Sequence, residues 1–126
     1  MPQTQHQQHP QQLAVGYYFV QPQHQLLLMS HSAQQLHALD TTQRTVTPQQ
    51  WLACYCRADQ QKLLLAMQVV ASLPQGQAIQ CLLKLGSPSK GDLGMHLQHQ
   101  LWRYDLNGIA MIIGAVSPCY YSSLSS

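Results

Sequence analysis

The sequence predicts an α+β fold in a single domain, with two strands first, two or three helices next and three strands last. Three observations predict this order. Residues 13–20 are rich in aromatic and branched side chains, which is typical of a strand. A helical repeat of apolar residues occupies the middle of the chain, and apolar and polar residues alternate in the last third. At 126 residues the chain has room for one such domain.

The first elements are a hairpin and a short helix. The strand at residues 13–20 is followed by a turn at residues 21–24, where Pro22 supplies the fixed φ angle that a turn favours. Residues 25–30 are predicted as the partner strand. Ser32 is predicted to cap a short helix that ends at Leu39, with Gln35 as its reciprocal partner.

The middle of the chain carries a second helix start and the longest predicted helix. Thr47 is predicted as an N-cap, with Pro48 at the first helical position and Gln50 as the reciprocal partner. A long helix is predicted over residues 59–73 and ends at the Pro-Gln-Gly sequence of residues 74–76. We expect its apolar side to pack on the sheet, because these residues recur at helical spacing: Leu63, Ala66, Met67, Val70 and Leu73.

Three strands are predicted after residue 78. Residues 79–85 alternate between apolar and polar side chains, a loop is predicted at residues 86–94, and a second strand is predicted over residues 95–104. The Asn107-Gly108 pair suits a hairpin turn with positive φ angles, and residues 109–116 complete the hairpin. One face of the middle strand carries Met95, Leu97, His99 and Leu101.

Two tails are predicted to flank this domain, which we place at residues 13–116. Residues 1–12 contain one apolar side chain, Met1, and are predicted to be disordered because they cannot bury enough surface to offset the entropy of ordering. Residues 117–126 are predicted as a serine-rich tail.

Charge and hydropathy exclude several classes of function. The chain has 22 Gln, no Glu and a charged fraction of 8%. Nucleic-acid binding is not expected, because the basic residues form no cluster that neutralises several phosphates together. No apolar run approaches a membrane span of about 20 residues and no secretory signal is evident, so we expect a cytoplasmic protein with reduced cysteines. The six basic residues are Arg44, Arg57, Lys62, Lys84, Lys90 and Arg103.

The order of these elements resembles the PAS domain, in the branch whose second half carries the PAC motif. The resemblance departs from the family pattern at residues 56–60, where only Asp59 matches, and after residue 116, where no Asp-Ile-Thr-like turn follows. It implies a PAS-like five-stranded antiparallel sheet with helices across one face, enclosing a pocket or simply a core. The segments that carry it are Gly16 to Phe19, Ser32 to Asp40, Thr47 to Leu52, Trp102 to Gly108 and Ile112 to Val116.

The resemblance implies a regulatory sensor module rather than an enzyme. Such a module binds a small ligand or a protein partner and controls an output domain of the kinase, cyclase or phosphodiesterase type, which this chain does not contain. A homodimer is expected. The alternative is a homodimerisation or interaction module without a ligand, in which an apolar face of the sheet forms the association surface.

Four residues are the candidates for a ligand pocket: Tyr18, Met67, Cys81 and His99. Strand alternation places Cys81 and His99 among inward apolar neighbours, with Tyr18 on the same wall. Pockets of this kind combine apolar walls with a few polar groups. Each polar candidate has an alternative without a ligand. His99 could be a buried histidine whose hydrogen bonds are satisfied by a neighbour, and Cys81 could pack as a small hydrophobe.

The sequence identifies no cofactor and no metal site. The helix predicted at residues 59–73 has no histidine for a haem, and His31 and His37 precede it. The flavin-binding Gly-x-Asn-Cys-Arg-Phe motif of light-sensing domains is absent. Cys54 and Cys56 would point about 200° apart on a helix, so they suit neither a metal nor a mutual disulfide. A reactive thiol beside Arg57 would also need a base, and none is visible from spacing.

Overall fold

A computed structural model describes residues 15–21, 25–43, 45–87 and 91–119. The elements in this part of the chain are β1 (Gly16–Gln21), β2 (Leu26–Met29), α1 (His31–Leu36), α2 (Pro48–Leu52), α3 (Arg57–Ala71), β3 (Ala78–Ser87), β4 (Gly91–Leu106) and β5 (Ile109–Cys119). The predicted tail at residues 1–12, the predicted turn at residues 22–24 and residues 120–126 lie outside the described residues.

The five strands form one antiparallel sheet in the order β2-β1-β5-β4-β3. The first and last strands are therefore neighbours in the middle of the sheet. Helix α3 packs on β3, β4 and β5, while α1 packs on β1 and β2. The predicted fold class, a five-stranded antiparallel sheet with helices packed on it, is confirmed.

Helix α2 begins with the predicted capping box. The Thr47 hydroxyl accepts the N–H of Gln50 at 3.0 Å, and the side-chain oxygen of Gln50 accepts the N–H of Thr47 at 2.9 Å. Helix α3 is the longest described helix, at 15 residues, and it begins and ends two residues earlier than predicted. It buries Leu63, Ala66, Met67 and Val70, as its apolar spacing predicts.

The predicted cap of α1 is wrong by two residues. Ser30, not Ser32, is the N-cap, and its hydroxyl accepts the N–H groups of Ala33 at 3.2 Å and of Tyr17 at 3.0 Å. The same hydroxyl thus joins β1 to α1, so the cap is the serine that follows β2. The helix ends at Leu36 rather than Leu39, because Ala38 adopts a positive φ of 57°.

The predicted loop at residues 86–94 is shorter than expected. Strand β3 continues to Ser87 and β4 begins at Gly91, with Gly86 opposite Asp92. Glycine and serine are poor strand formers, so composition favoured a loop, but backbone pairing with the neighbouring strand overrides that preference. Strand β5 likewise continues to Cys119, three residues into the segment predicted as a tail, where it pairs with His96.

The hairpin between β4 and β5 turns where predicted. Asn107 and Gly108 have φ angles of 52° and 80°, which are the positive values that this turn needs. Among the described residues, no helix combines the length and the apolar character of a membrane span.

Candidate functional site

Four buried side chains form a continuous line of hydrogen bonds through the core, which we call the Tyr–His network. It consists of Tyr18, His99, Tyr55 and His37, and it ends on the carbonyl of Ala33. Nδ1 of His99 lies 2.7 Å from the Tyr18 hydroxyl, and Nε2 of His99 lies 2.7 Å from the Tyr55 hydroxyl. Tyr55 also bonds to Nε2 of His37, whose Nδ1 lies 2.7 Å from the Ala33 oxygen.

The Ala33 carbonyl fixes the direction of every hydrogen bond in this network. A carbonyl only accepts, so Nδ1 of His37 carries a hydrogen. A neutral His37 then accepts at Nε2 from the Tyr55 hydroxyl, and the Tyr55 oxygen accepts from Nε2–H of His99. Nδ1 of His99 is left to accept from the Tyr18 hydroxyl. All four bonds therefore point from Tyr18 towards Ala33, provided that both imidazoles are neutral.

Burial keeps both imidazoles neutral. It lowers the pKa of His37 to about 4, against a smaller opposing effect of the Ala33 hydrogen bond. Burial, with the nearby His37 as a second cause, lowers the pKa of His99 to about 3. Burial also raises the pKa of Tyr18 and of Tyr55 well above the usual value for a phenol. The network is therefore uncharged at neutral pH.

Two glycines let the ends of the network approach their neighbours. A Cβ atom at Gly114 on β5 would lie 2.1 Å from Cζ of Tyr18, which is opposite it in register. A Cβ atom at Gly16 would lie 2.4 Å from Cα of Ala33, so α1 packs directly on β1. Gly114 thus makes room for the Tyr18 ring, and Gly16 brings the Ala33 carbonyl into the core.

Backbone bonds to β3 hold Tyr55 between α2 and α3. The N–H of Cys56 donates to the Lys84 carbonyl at 3.2 Å, and the N–H of Gly86 donates to the Cys54 carbonyl at 3.0 Å. The Asp59 carboxylate accepts the N–H of Lys84 and so fixes the start of α3 on the same strand. Asp59, the one residue that matches the family pattern in this segment, therefore has a structural role.

A partly open groove lies beside the Tyr–His network, between α3 and the sheet, and we call it the α3 groove. Its larger lobe, of ≈ 400 Å³, lies between α3 and β5, and its smaller lobe, of ≈ 220 Å³, reaches α2 and β2. Leu64 and Met67 line both lobes, which are therefore adjacent along α3. The larger lobe is lined by Leu64, Met67, Gln68, Ala71, Arg103, Ala110, Met111 and Ile112.

Trp51 separates the groove from the network. It lines the smaller lobe, and its ring centroid lies 4.7 Å from that of Tyr18. Its indole N–H is buried near the Tyr55 hydroxyl without a hydrogen bond of regular geometry. One side chain of α2 therefore contacts both the groove and the first member of the network.

The predicted site residues fall into two groups. Tyr18 and His99 are bonded to each other, and Cys81 lies opposite His99 in the register of β3 and β4. Met67 lies elsewhere, on the wall of the α3 groove. His99 is a buried histidine whose two ring nitrogens both bond to tyrosine hydroxyls, as the alternative without a ligand describes. That the four residues contact a ligand remains a prediction.

Sequence reasoning missed Tyr55 and Trp51 as parts of this site, and it considered His37 only as a haem ligand. Trp51 and Tyr55 are four residues apart, so helical spacing puts them on one side and indicates burial, but it does not indicate a polar role. Their polar partners come from strands and helices far away in sequence, and Tyr18 and His99 are separated by 81 residues. Local spacing carries no information about such contacts.

The thiols and acidic groups form no metal-binding cluster within the described ranges. No group of three His, Cys, Asp or Glu side chains there is placed to hold a metal ion. The cysteines are free, and burial raises the pKa of the Cys54 thiol to about 11, which keeps it protonated.

Known proteins resemble this chain in structure rather than in sequence. No family model and no curated protein sequence matches it. It superposes on an RNA-binding light-oxygen-voltage receptor at a TM-score of 0.67 and 11% identity, covering 86% of this chain but 30% of the receptor. A sensory box histidine kinase/response regulator from Burkholderia thailandensis E264 matches at a TM-score of 0.66 and 10% identity, covering 96% of this chain and 88% of that one.

A third structure is the N-terminal domain of a diguanylate cyclase with a PAS/PAC sensor, from Marinobacter aquaeolei. It matches at a TM-score of 0.64 and 9% identity, covering 86% of this chain and 98% of that one. These likenesses establish that the chain has the PAS fold, as the sequence resemblance predicts.

Proposed function

We propose that this domain is a regulatory sensor module that binds a small molecule in the α3 groove and controls an output domain outside these 126 residues. The observation that carries the proposal is the groove itself. Its larger lobe, of ≈ 400 Å³, falls within the range of about 300–1,000 Å³ typical of ligand sites. Its walls are apolar apart from Gln68 and Arg103, and a few polar groups among apolar walls are typical of such sites.

The position of the groove favours a regulatory role. A ligand there would contact α3 and β5, two of the elements that carry the core, and would reach Trp51 through the smaller lobe. Trp51 packs on Tyr18, so a ligand in the smaller lobe would touch a side chain that itself contacts the Tyr–His network. We do not propose a catalytic role, because both nitrogens of the buried His99 are engaged by tyrosines.

The kind of output domain that this module controls is part of the same proposal. Two of the structures that share this fold are named as a histidine kinase/response regulator and a diguanylate cyclase. A kinase or cyclase type of output accords with those names; a phosphodiesterase output and a cytoplasmic location are proposed from the sequence alone. The module would then transmit ligand occupancy to an attached or partner domain.

The test uses the neutral fluorescent probe N-phenyl-1-naphthylamine and two phenylalanine variants of α3. Ala71→Phe fills the larger lobe and should weaken probe binding at least tenfold. Leu65→Phe is the matched control, since Leu65 is 60% exposed on the same helix and does not line the groove. If the probe does not bind, or if both variants bind it like the unaltered protein, the groove is not the ligand site.

A second function, homodimerisation, is favoured by the opposite face of the sheet. Tyr17, Phe19 and Leu28 are 54%, 40% and 47% exposed on this face, although they are large apolar side chains. The outward positions of β1 and β5, and those of β4 from Gln98 to Tyr104, carry no charged side chain. This surface combines exposed apolar side chains with uncharged polar ones such as Gln98 and Gln100, so a second copy can cover it without burying a charge, which is why we propose a symmetric dimer.

Sedimentation of two lysine variants tests the dimer. Phe19→Lys places a charge on the outer face and should convert dimers into monomers. Leu65→Lys places the same charge on an exposed position of α3 and should leave the dimer intact. A protein that is monomeric before any substitution, or a dimer that both variants disrupt equally, would contradict the assignment of this face.

A further inference from the structure

The polar end of the α3 groove is built around one fixed arginine. Nε and Nη2 of Arg103 donate to the two oxygens of Asp105 at 3.0 and 2.8 Å, and Nη1 donates to the Leu73 carbonyl at 2.9 Å. The guanidinium is thus held by two partners on different segments, Asp105 on β4 and Leu73 after α3. Its side chain is 28% exposed and lines the larger lobe.

Two N–H donors of Arg103 stay available at this end of the groove. A guanidinium has five N–H donors, and three are used by Asp105 and Leu73. One hydrogen on Nη1 and one on Nη2 remain. The Gln68 side-chain amide lines the same lobe and makes no hydrogen bond to the described residues. The end of the groove therefore has donors available, while Asp105 already balances the positive charge of Arg103.

We infer that the α3 groove takes an apolar molecule that carries a neutral hydrogen-bond acceptor, such as the carbonyl of a ketone, ester, lactone or amide. The carbonyl oxygen accepts from the two remaining N–H groups of Arg103, and the apolar body lies against Leu64, Met67 and Ile112. This inference rests on the proposed ligand site and adds the chemical class of the ligand.

An ionised acid fits the same place less well. Its carboxylate would share one guanidinium with Asp105, whose oxygen already lies 2.8 Å from Nη2. Two like charges on one cation repel each other, and the second gains little because the first has already neutralised the site. A hydrocarbon without an acceptor would cover the two N–H donors without replacing their bonds to water, which also costs affinity.

Three naphthalenes of nearly equal size separate these cases. 2-Acetylnaphthalene carries a neutral carbonyl, 2-naphthoate carries a carboxylate, and 2-ethylnaphthalene carries no acceptor. Each is titrated against bound N-phenyl-1-naphthylamine. We expect 2-acetylnaphthalene to bind about tenfold more tightly than either of the others, as one hydrogen bond to a charged donor implies.

The Asp105→Asn variant distinguishes this chemistry from general apolar binding. It removes the competing carboxylate and leaves Arg103 positive, so 2-naphthoate should gain about tenfold in affinity and bind about as tightly as the ketone. Arg103→Met removes the donors and should abolish the advantage of the ketone over 2-ethylnaphthalene. Thermal unfolding of each variant is measured alongside, so that loss of the fold is recognised.

The possible results separate the two levels of the proposal. If the neutral probe does not bind, the ligand site fails and this inference fails with it. If the probe binds but the three naphthalenes displace it equally, the groove is a site and the acceptor chemistry is wrong. If 2-naphthoate binds best to the unaltered protein, the ligand is an acid and the inference is overturned.

Discussion

The Tyr–His network and the α3 groove occupy the same layer, between the sheet and its helices, but they use that space in opposite ways. In the network each polar atom is bound to another within the protein, and an added methyl group at Gly114 would lie 2.1 Å from Cζ of Tyr18. In the groove ≈ 400 Å³ stays accessible and Arg103 keeps unused donors. The inner layer of this fold is therefore divided between a closely packed part, the network, and a part with room for a ligand, the groove.

The side chains of the network favour a rigid structure, and those of the groove favour adaptation to a ligand. The network consists of aromatic rings whose polar atoms are hydrogen-bonded within the core. A rotation of one ring would leave a buried polar group without its partner, which costs free energy. The groove includes Met67, whose flexible thioether adapts to different shapes. Trp51 is the boundary, because it contacts Tyr18 on one side and the smaller lobe on the other.

The largest expected effect on the rigid part comes from acid. His37 and His99 titrate near 6.5 when unfolded, but near 4 and 3 in the fold. Above pH 6.5 both imidazoles are neutral in the folded and in the unfolded chain. Below pH 6.5 the unfolded chain binds two protons that the folded protein does not bind. The free energy of unfolding should therefore fall as the pH drops from 6.5 towards 4, by about 5 kcal/mol at pH 4.5.

Chemical denaturation at several pH values measures this loss. The His99→Phe variant retains one of the two buried imidazoles, so its slope should be about 1.4 kcal/mol per pH unit instead of about twice that. An identical slope in the variant would mean that His99 is not held neutral by the fold.

Gly114→Ala should give the next largest effect. The added Cβ overlaps the Tyr18 ring, which cannot move because its hydroxyl is bound to His99, so we expect a loss of about 3 kcal/mol in the free energy of unfolding. Urea denaturation measures it. The same change made in a Tyr18→Ala background should cost much less, since the ring is gone, and additive effects would contradict the contact.

His99→Phe should cost somewhat less, about 2 kcal/mol at neutral pH. Phenylalanine fills a similar volume but leaves the Tyr18 and Tyr55 hydroxyls without the partner between them. His31→Phe is the control, because His31 is exposed at the start of α1, and it should stay within about 0.5 kcal/mol of the unaltered protein. Urea denaturation measures both variants. Equal losses in the free energy of unfolding would mean that the hydrogen bonds of His99 do not stabilise the fold.

Ala71→Phe should have the smallest effect on stability, within about 0.5 kcal/mol, although it adds a whole ring. The ring enters the open lobe instead of packed core. The comparison with Gly114→Ala is direct, since both variants add atoms to the same layer of the protein. A loss of several kcal/mol in urea denaturation would show that the groove is as tightly packed as the network.

The parts of this molecule that local sequence determines were predictable, and the rest were not. The capping box of Thr47 and Gln50 lies within four residues, and its hydrogen bonds form as predicted. The inward face of His99 follows from strand alternation. The cap at Ser30 was missed because its hydroxyl also serves Tyr17, 13 residues away, and the partners of His99 come from β1 and from the turn after α2. Such contacts depend on how the elements pack.

The fixed direction of the Tyr–His network has a consequence for how this protein can vary. Each of the three inner members, His99, Tyr55 and His37, gives one hydrogen and receives one, so only a side chain that does both can stand in its place. Glutamine, asparagine, serine and threonine meet that rule, whereas lysine and arginine only donate and an ionised carboxylate only accepts. Among descendants of this sequence, these positions should therefore be confined to amphoteric residues, or be lost together to apolar ones.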